Sequence, residues 1–102
     1  MSNAAQAANV AIAQAWEGAP NEWKHAALAA IYNVAQAHSR FTTGDVWATG
    51  LPKPREPRAM GSAMRVAAQE GWCEGTNEYI TSGNRTNHNR PLRVWHSKVY
   101  IP

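Results

Sequence analysis

A chain of 102 residues is long enough for one domain with its own core and too short for two. Hydrophobic residues make up 44% of it, but many are alanines, so the five tryptophans must supply much of the buried area. The single cysteine excludes an internal disulfide, and the net charge of +3 is unevenly distributed. Residues 1–50 carry two basic and three acidic side chains, whereas residues 51–102 carry eight basic and four acidic ones.

The first predicted element is a helix over residues 4–17 that has no charge before Glu17. Its apolar stripe has helical spacing and comprises Ala5, Ala8, Ile12 and Trp16. Such a helix is not stable alone in water, so the stripe must pack on its own domain or, slightly less favoured, form a homodimer. We therefore divide the chain into residues 1–20, a helix and linker, and residues 21–102, the main domain.

The second predicted helix is the most clearly amphipathic one. It runs from about Asn21, a suitable N-cap, to Ser39. Its inward positions form a continuous stripe, which indicates a core-facing helix and is closed by a partly buried structural histidine: Trp23, Ala27, Ala30, Ile31, Val34 and His38.

A short strand and a short helix come next. Phe41 and Thr42 are predicted as the strand, and Thr42 with Asp45 resembles a capping box. This box would start a helix from Thr43 to Leu51 that buries Val46 and Trp47. The segment 52–57, which contains three prolines, then forms a rigid turn that no helix can cross.

The third main helix is predicted over residues 57–70, with Pro57 at its first position and Gly71 after its end. One face is apolar and consists of Met60, Ala63, Met64 and Ala67. The opposite face is expected to be exposed and consists of Arg58, Gly61, Ser62, Arg65 and Gln69.

After Gly71 the pattern changes to strands. Segments 72–74 and 78–81 are β-like and are separated by turn-forming residues 75–77. Residues 92–97 alternate as a half-buried strand does. Between them, segment 82–91 consists of turn formers and basic groups, which predicts a long hairpin tip. From Gly83 onward the chain has four basic residues and no carboxylate.

This order of elements resembles the winged helix-turn-helix family over residues 21–97. The most specific part is Arg58-Ala-Met-Gly-Ser-Ala-Met-Arg continuing to Glu70-Gly71-Trp72. Segment 87–95 is also similar to the wing return of small phage and prophage DNA-binding proteins. The resemblance implies an α+β winged-helix fold, with a three-helix helix-turn-helix core, a C-terminal β-hairpin wing and an extra N-terminal helix. The longer proline turn and that extra helix depart from the minimal family pattern.

The resemblance implies sequence-specific binding of double-stranded DNA by a small bacterial or phage regulator, or by an accessory factor of DNA transactions. Helix 57–70 would lie in the major groove, and the basic wing 82–91 on the backbone or in the minor groove. The helix residues implied are Arg58, Ser62, Arg65 and Gln69, and those of the wing are Arg85, Asn87, His88, Arg90 and Arg93. Lys53 and Arg55, just before the helix, would sit near a phosphate strand.

The residues by themselves leave alternatives open. The arginines can be solvated surface groups, and the asparagines of segment 82–91 can simply form the turn. A protein-interaction or dimerisation module can be built on the same scaffold. RNA or single-strand binding through Tyr79 or Trp95 is weaker, because strand packing explains both aromatic side chains.

Catalysis is not expected. The chain has no glycine-rich phosphate loop and no nucleophile elbow, and its seven carboxylates are not closely paired. One cysteine and four scattered histidines show no zinc spacing, so we expect neither metal nor cofactor. No segment resembles a membrane span or a secretory signal, which predicts a cytoplasmic protein without a membrane partner. The resemblance implies that the cell is bacterial and that a phage can encode the protein.

Overall fold

The computed structural model describes residues 16–81 and 91–102, which form an α+β domain. Its elements in chain order are α1 (Asn21–Ala37), β1 (Arg40–Phe41), α2 (Thr43–Trp47), α3 (Ala59–Gln69), β2 (Cys73–Thr81) and β3 (Pro91–Ser97). The predicted α+β class is confirmed. Among these residues, no helix has the length and apolar character needed to cross a membrane.

Helix α1 has the buried stripe that the sequence predicts. Trp23, Ile31 and Val34 are buried, but the helix ends at Ala37, two residues earlier than expected. His38 is therefore the C-cap and is exposed, not partly buried as predicted. Asn21 is not the N-cap. Pro20 occupies that position, and its carbonyl accepts a hydrogen bond from the Lys24 N–H at 3.0 Å.

Of the predicted N-terminal helix, residues 16 and 17 are described and are helical, and residues 4–15 lie outside the described part. The helix includes Gly18, one residue beyond its predicted end. The half-buried Trp16 packs edge-on against Trp23, with 6.4 Å between the ring centroids. This end of the helix therefore packs on its own domain.

Helix α2 starts at the predicted capping box. The Thr42 N–H donates to the Asp45 carboxylate at 2.8 Å, and Asp45 is the third residue of the helix. The helix buries Val46 but stops at Trp47, not at Leu51. The Trp23 Nε1–H then donates to the Pro52 carbonyl at 2.7 Å, which fixes the proline segment against α1.

Helix α3 begins at Ala59, so Pro57 is not its first residue as predicted. Pro57 instead begins a tight turn in which its carbonyl accepts from the Met60 N–H at 3.1 Å. The helix ends at Gln69, one residue earlier than predicted. Gly71 terminates it as predicted, with a positive φ of 81°. Gly71 donates to the Ala68 carbonyl and Trp72 to the Ala67 carbonyl, which is a Schellman motif.

The three strands form one antiparallel sheet in the order β1-β3-β2. The predicted turn at residues 75–77 is wrong, because β2 is one strand whose pairing with β3 is irregular between Gly75 and Tyr79. Thr76 holds this irregular segment on the sheet. Its Oγ1–H donates to the Val94 carbonyl at 2.6 Å and its oxygen accepts from the Glu78 N–H at 3.1 Å.

The predicted alternation of β3 holds only in part. Val94 is buried and Arg93 is exposed, as the alternation predicts, but His96 is exposed although it shares the predicted face of Val94, and Ser97 on the opposite face is buried. The Ser97 hydroxyl donates to the Ala35 carbonyl of α1 at 2.6 Å, which ties the end of the strand to the helix.

The core lies where the helices meet the base of the sheet. Its largest fully buried side chains come from α1, α2, α3, β1 and β2: Ile31, Val46, Met64, Phe41 and Cys73. Farther along β2, Tyr79 and Ile80 are 54% and 50% exposed. The hairpin therefore carries accessible side chains beyond its anchored base.

Candidate nucleic-acid interface

The side of α3 turned away from the core carries polar and basic groups. Met60, Ala63, Met64 and Ala67 are buried, which confirms the predicted apolar face. Arg65 and Gln69 are exposed, and so is Arg58 just before the first helical residue. The helix contains no carboxylate between Ala59 and Gln69. Its solvent side can therefore approach an anionic surface.

Ser62 is a correction to the predicted site. It is only 8% exposed, although helical periodicity puts it on the same side as Arg58 and Arg65. Periodicity gives the direction of a side chain, whereas burial also depends on its length and on what surrounds it. A short hydroxyl at this position is covered, while the longer arginine one turn later reaches solvent. Ser62 is therefore not a surface contact residue.

Arg58 has an acidic neighbour. Its Nε lies 3.7 Å from Glu56 Oε1, and the two side chains are 68% and 51% exposed. Exposed pairs of this kind contribute about 0–1 kcal/mol and are screened by salt. A phosphate oxygen can displace such a carboxylate, so the pair lowers the positive field of Arg58 without preventing a contact.

Lys53 and Arg55 lie on the proline segment and line an open groove of about 490 Å³ against the start of α1. The Lys53 ammonium is 5.9 Å from the centroid of the Trp47 ring, which is within cation–π range. The Glu22 carboxylate lines the same groove. The two cations are exposed, as the proposed phosphate contacts require, but they belong to this groove and share it with an acidic side chain.

On the hairpin, Arg93 is the predicted site residue that the structure describes. It is exposed on β3 and donates to the Tyr79 hydroxyl of β2 from Nη2 at 2.9 Å and from Nε at 3.3 Å. Four other predicted wing residues lie outside the described part of the chain: Arg85, Asn87, His88 and Arg90.

The sequence matches no family model and no curated protein, and no solved structure matches the fold. The function must therefore be argued from the site itself.

The carboxylates of the hairpin are paired with basic residues other than Arg93. Glu74 lies 3.3 Å from His96 Nδ1 and 3.6 Å from Lys98 Nζ, and Glu78 forms an ion pair with Arg40. Within residues 16–81 and 91–102, Arg93 is in no ion pair with a carboxylate, and all seven carboxylates fall in those ranges.

The described residues also bear on nucleophile and metal chemistry. Burial raises the pKa of the Cys73 thiol from 9.0 to about 11, an effect that the positive charge of Lys98 partly offsets. The thiolate is therefore scarce at neutral pH. In the part of the chain that is described, no three metal-ligating side chains come together.

Sequence reasoning missed the contact between Tyr79 and Arg93. The two residues are direct partners in the strand register, but finding this needs the irregular pairing between Gly75 and Tyr79. The sequence signal that could have indicated this contact is a tyrosine and an arginine on two neighbouring predicted strands.

Proposed function

We propose that this protein is a sequence-specific double-stranded DNA-binding protein with a winged-helix layout. In this proposal α3 is the recognition helix and the hairpin of β2 and β3 is the wing. The observation that carries the proposal is the composition of α3, which buries one face and exposes Arg65 and Gln69 without any carboxylate along the helix. A short strand and a short helix before α3 and an antiparallel hairpin after it are compatible with that layout.

The chemistry of the exposed groups fits the major groove of DNA. An arginine can donate two hydrogen bonds to guanine O6 and N7, and glutamine can bond adenine. Arg58 and Arg65 are seven residues apart, which is about 10 Å along a helix. A B-form major groove is about 12 Å wide, so both arginines can contact the same major groove. Arg58 would lie near a phosphate and Arg65 at a base edge.

The wing contributes positive charge in a different way. Arg93 is exposed on β3, and the sequence between the two strands adds Arg85 and Arg90 without a carboxylate. Cations that contact phosphates release counterions from the duplex, so they add affinity that depends steeply on salt and little on sequence. The biological setting we propose is a small bacterial or phage regulator or an accessory factor in DNA transactions.

The decisive experiment is a binding selection from random duplexes at near-physiological salt. We expect an enriched motif for the wild-type chain. Arg65→Ala should reduce the affinity for that motif roughly 5- to 150-fold and relax the preference at one position. Arg85→Ala should weaken all duplexes alike and flatten the salt dependence. Arg40→Ala is the matched control, because Arg40 is an exposed arginine already paired with Glu78.

Two results would contradict the proposal. Equal affinity for every duplex would remove sequence specificity, and an Arg65→Ala variant that behaves like Arg40→Ala would remove α3 as the reading element.

A further inference from the structure

Tyr79 is an aromatic side chain that the fold leaves accessible. It lies on β2 beyond the anchored base of the hairpin and is 54% exposed. Trp95, the other aromatic residue of this hairpin that is described, is half-buried and packs against the core. Strand packing therefore accounts for Trp95 and does not account for Tyr79.

The guanidinium of Arg93 is held beside the Tyr79 ring. Two nitrogens of Arg93 donate to the Tyr79 hydroxyl, and the guanidinium carbon is 5.6 Å from the ring centroid. Gly75 allows this placement, because a Cβ there would come within 3.2 Å of Arg93 Nη1. Lacking a side chain at Gly75, β2 lets the arginine lie close to its backbone. An aromatic face and a positioned cation are thus accessible together.

From this juxtaposition we infer that Tyr79 and Arg93 form a binding site for unpaired nucleotides, with a base stacked on the phenol ring and its phosphate at the guanidinium. Bases stack on aromatic side chains regardless of sequence, and basic grooves follow the backbone of single strands. The charge of the site favours this ligand, since Arg93 has no carboxylate partner among the described residues. The inference goes beyond the proposed duplex binding, because a base inside a paired duplex does not expose its face to a side chain.

The test uses fluorescence anisotropy of a labelled oligothymidylate of about 16 nucleotides, a length that covers one typical single-strand site. The full chain is titrated against this strand and against its duplex with oligoadenylate. Tyr79→Ala should weaken single-strand binding roughly 5- to 150-fold, the range of one base–aromatic stack. Tyr79→Phe keeps the aromatic ring, so its affinity for the single strand should decrease less than fivefold.

For the single strand, the logarithm of the binding constant falls linearly with the logarithm of the salt concentration. Arg93→Ala should make this slope less steep by about 0.7, the contribution of one phosphate contact. Ile80→Ala is the matched control. Ile80 is 50% exposed and follows Tyr79 directly, so its side chain points to the other face of the strand. Circular dichroism should give unchanged folding for all four variants.

Three outcomes would overturn the inference. In the first, the wild-type protein does not bind the single strand. In the second, Tyr79→Ala and Ile80→Ala lose the same affinity for the single strand. In the third, Tyr79→Ala loses the same affinity for the single strand and for the duplex. In the last case Tyr79 acts by holding Arg93 against any phosphate backbone. Intact single-strand binding, together with a selection from random duplexes that enriches no motif, would instead refute the proposed function and leave this inference standing.

Discussion

The turn between α3 and β2 permits a stability prediction with a clear physical cause. Gly71 has a φ of 81°, in the left-handed region, and a Cβ added there would meet no atom of residues 16–81 or 91–102 within 4 Å. Gly71→Ala therefore adds backbone strain without a steric clash. An L-residue in this region costs about 1–2 kcal/mol. Reduced freedom of the unfolded chain returns about 0.4–1 kcal/mol. The expected net loss is about 1 kcal/mol, or roughly 4–8 °C in Tm.

Urea and thermal unfolding followed by tryptophan fluorescence measure this loss directly. Gly71→Asn should lose less than the alanine variant, because asparagine tolerates the left-handed conformation. Gly18→Ala is a control with equally open space among the described residues and no positive φ, so it should not lose stability. The reasoning is refuted if Gly71→Ala is as stable as the wild type, or if the alanine and asparagine variants lose the same free energy of unfolding.

Three further predictions concern the core, the strand end and the N-terminal helix. The pKa of Cys73 is raised from 9.0 to about 11, so the unfolded chain releases this proton first and the free energy of unfolding should fall between those pH values. Urea unfolding at several pH values measures this decrease. If the free energy of unfolding of Cys73→Ala decreases as steeply as that of the wild type, the prediction is contradicted. Ser97→Ala should cost about 1–3 kcal/mol in urea unfolding, because it leaves the buried Ala35 carbonyl unsatisfied, whereas the exposed Ser39→Ala should stay within about 0.5 kcal/mol. If the apolar stripe of the N-terminal helix forms a homodimer, the alternative to packing on its own domain, light scattering should give a dimer mass for the full chain and a monomer mass for a chain starting at Asn21. Two monomer masses would exclude the homodimer.

The features that the sequence predicted correctly depend on neighbours along the chain. The Thr42–Asp45 box and the Gly71 turn are each closed by hydrogen bonds within six residues. The buried stripes of α1 and α3 follow from the helical period. Such signals need no knowledge of the tertiary fold.

Three of the errors concern residues whose surroundings in the folded chain decide the outcome. Ser62 has the helical direction of an exposed residue but is covered in the folded chain. Residues 75–77 include turn formers, yet the carbonyl of Val94 on the neighbouring strand binds Thr76 and keeps the segment in the sheet. The sequence pattern favours strand packing for Tyr79, but in the structure Tyr79 is exposed and has Arg93 as its partner. Each of these results depends on the strand register or on the tertiary packing, and neither can be predicted from the periodicity of the sequence.

The charges around α3 determine which part of the helix a polyanion can approach most closely. The exposed Glu70 follows the last helical residue, where the helix dipole is already negative, so phosphates are disfavoured at that end. The first turns have the positive end of the dipole and Arg58, although Glu56 offsets part of that charge. A duplex bound as proposed would therefore lie nearer the first two turns, with Gln69 at its margin. Since Ser62 is buried, base recognition by α3 would depend chiefly on Arg65, and much of the affinity would come from phosphate contacts that salt weakens.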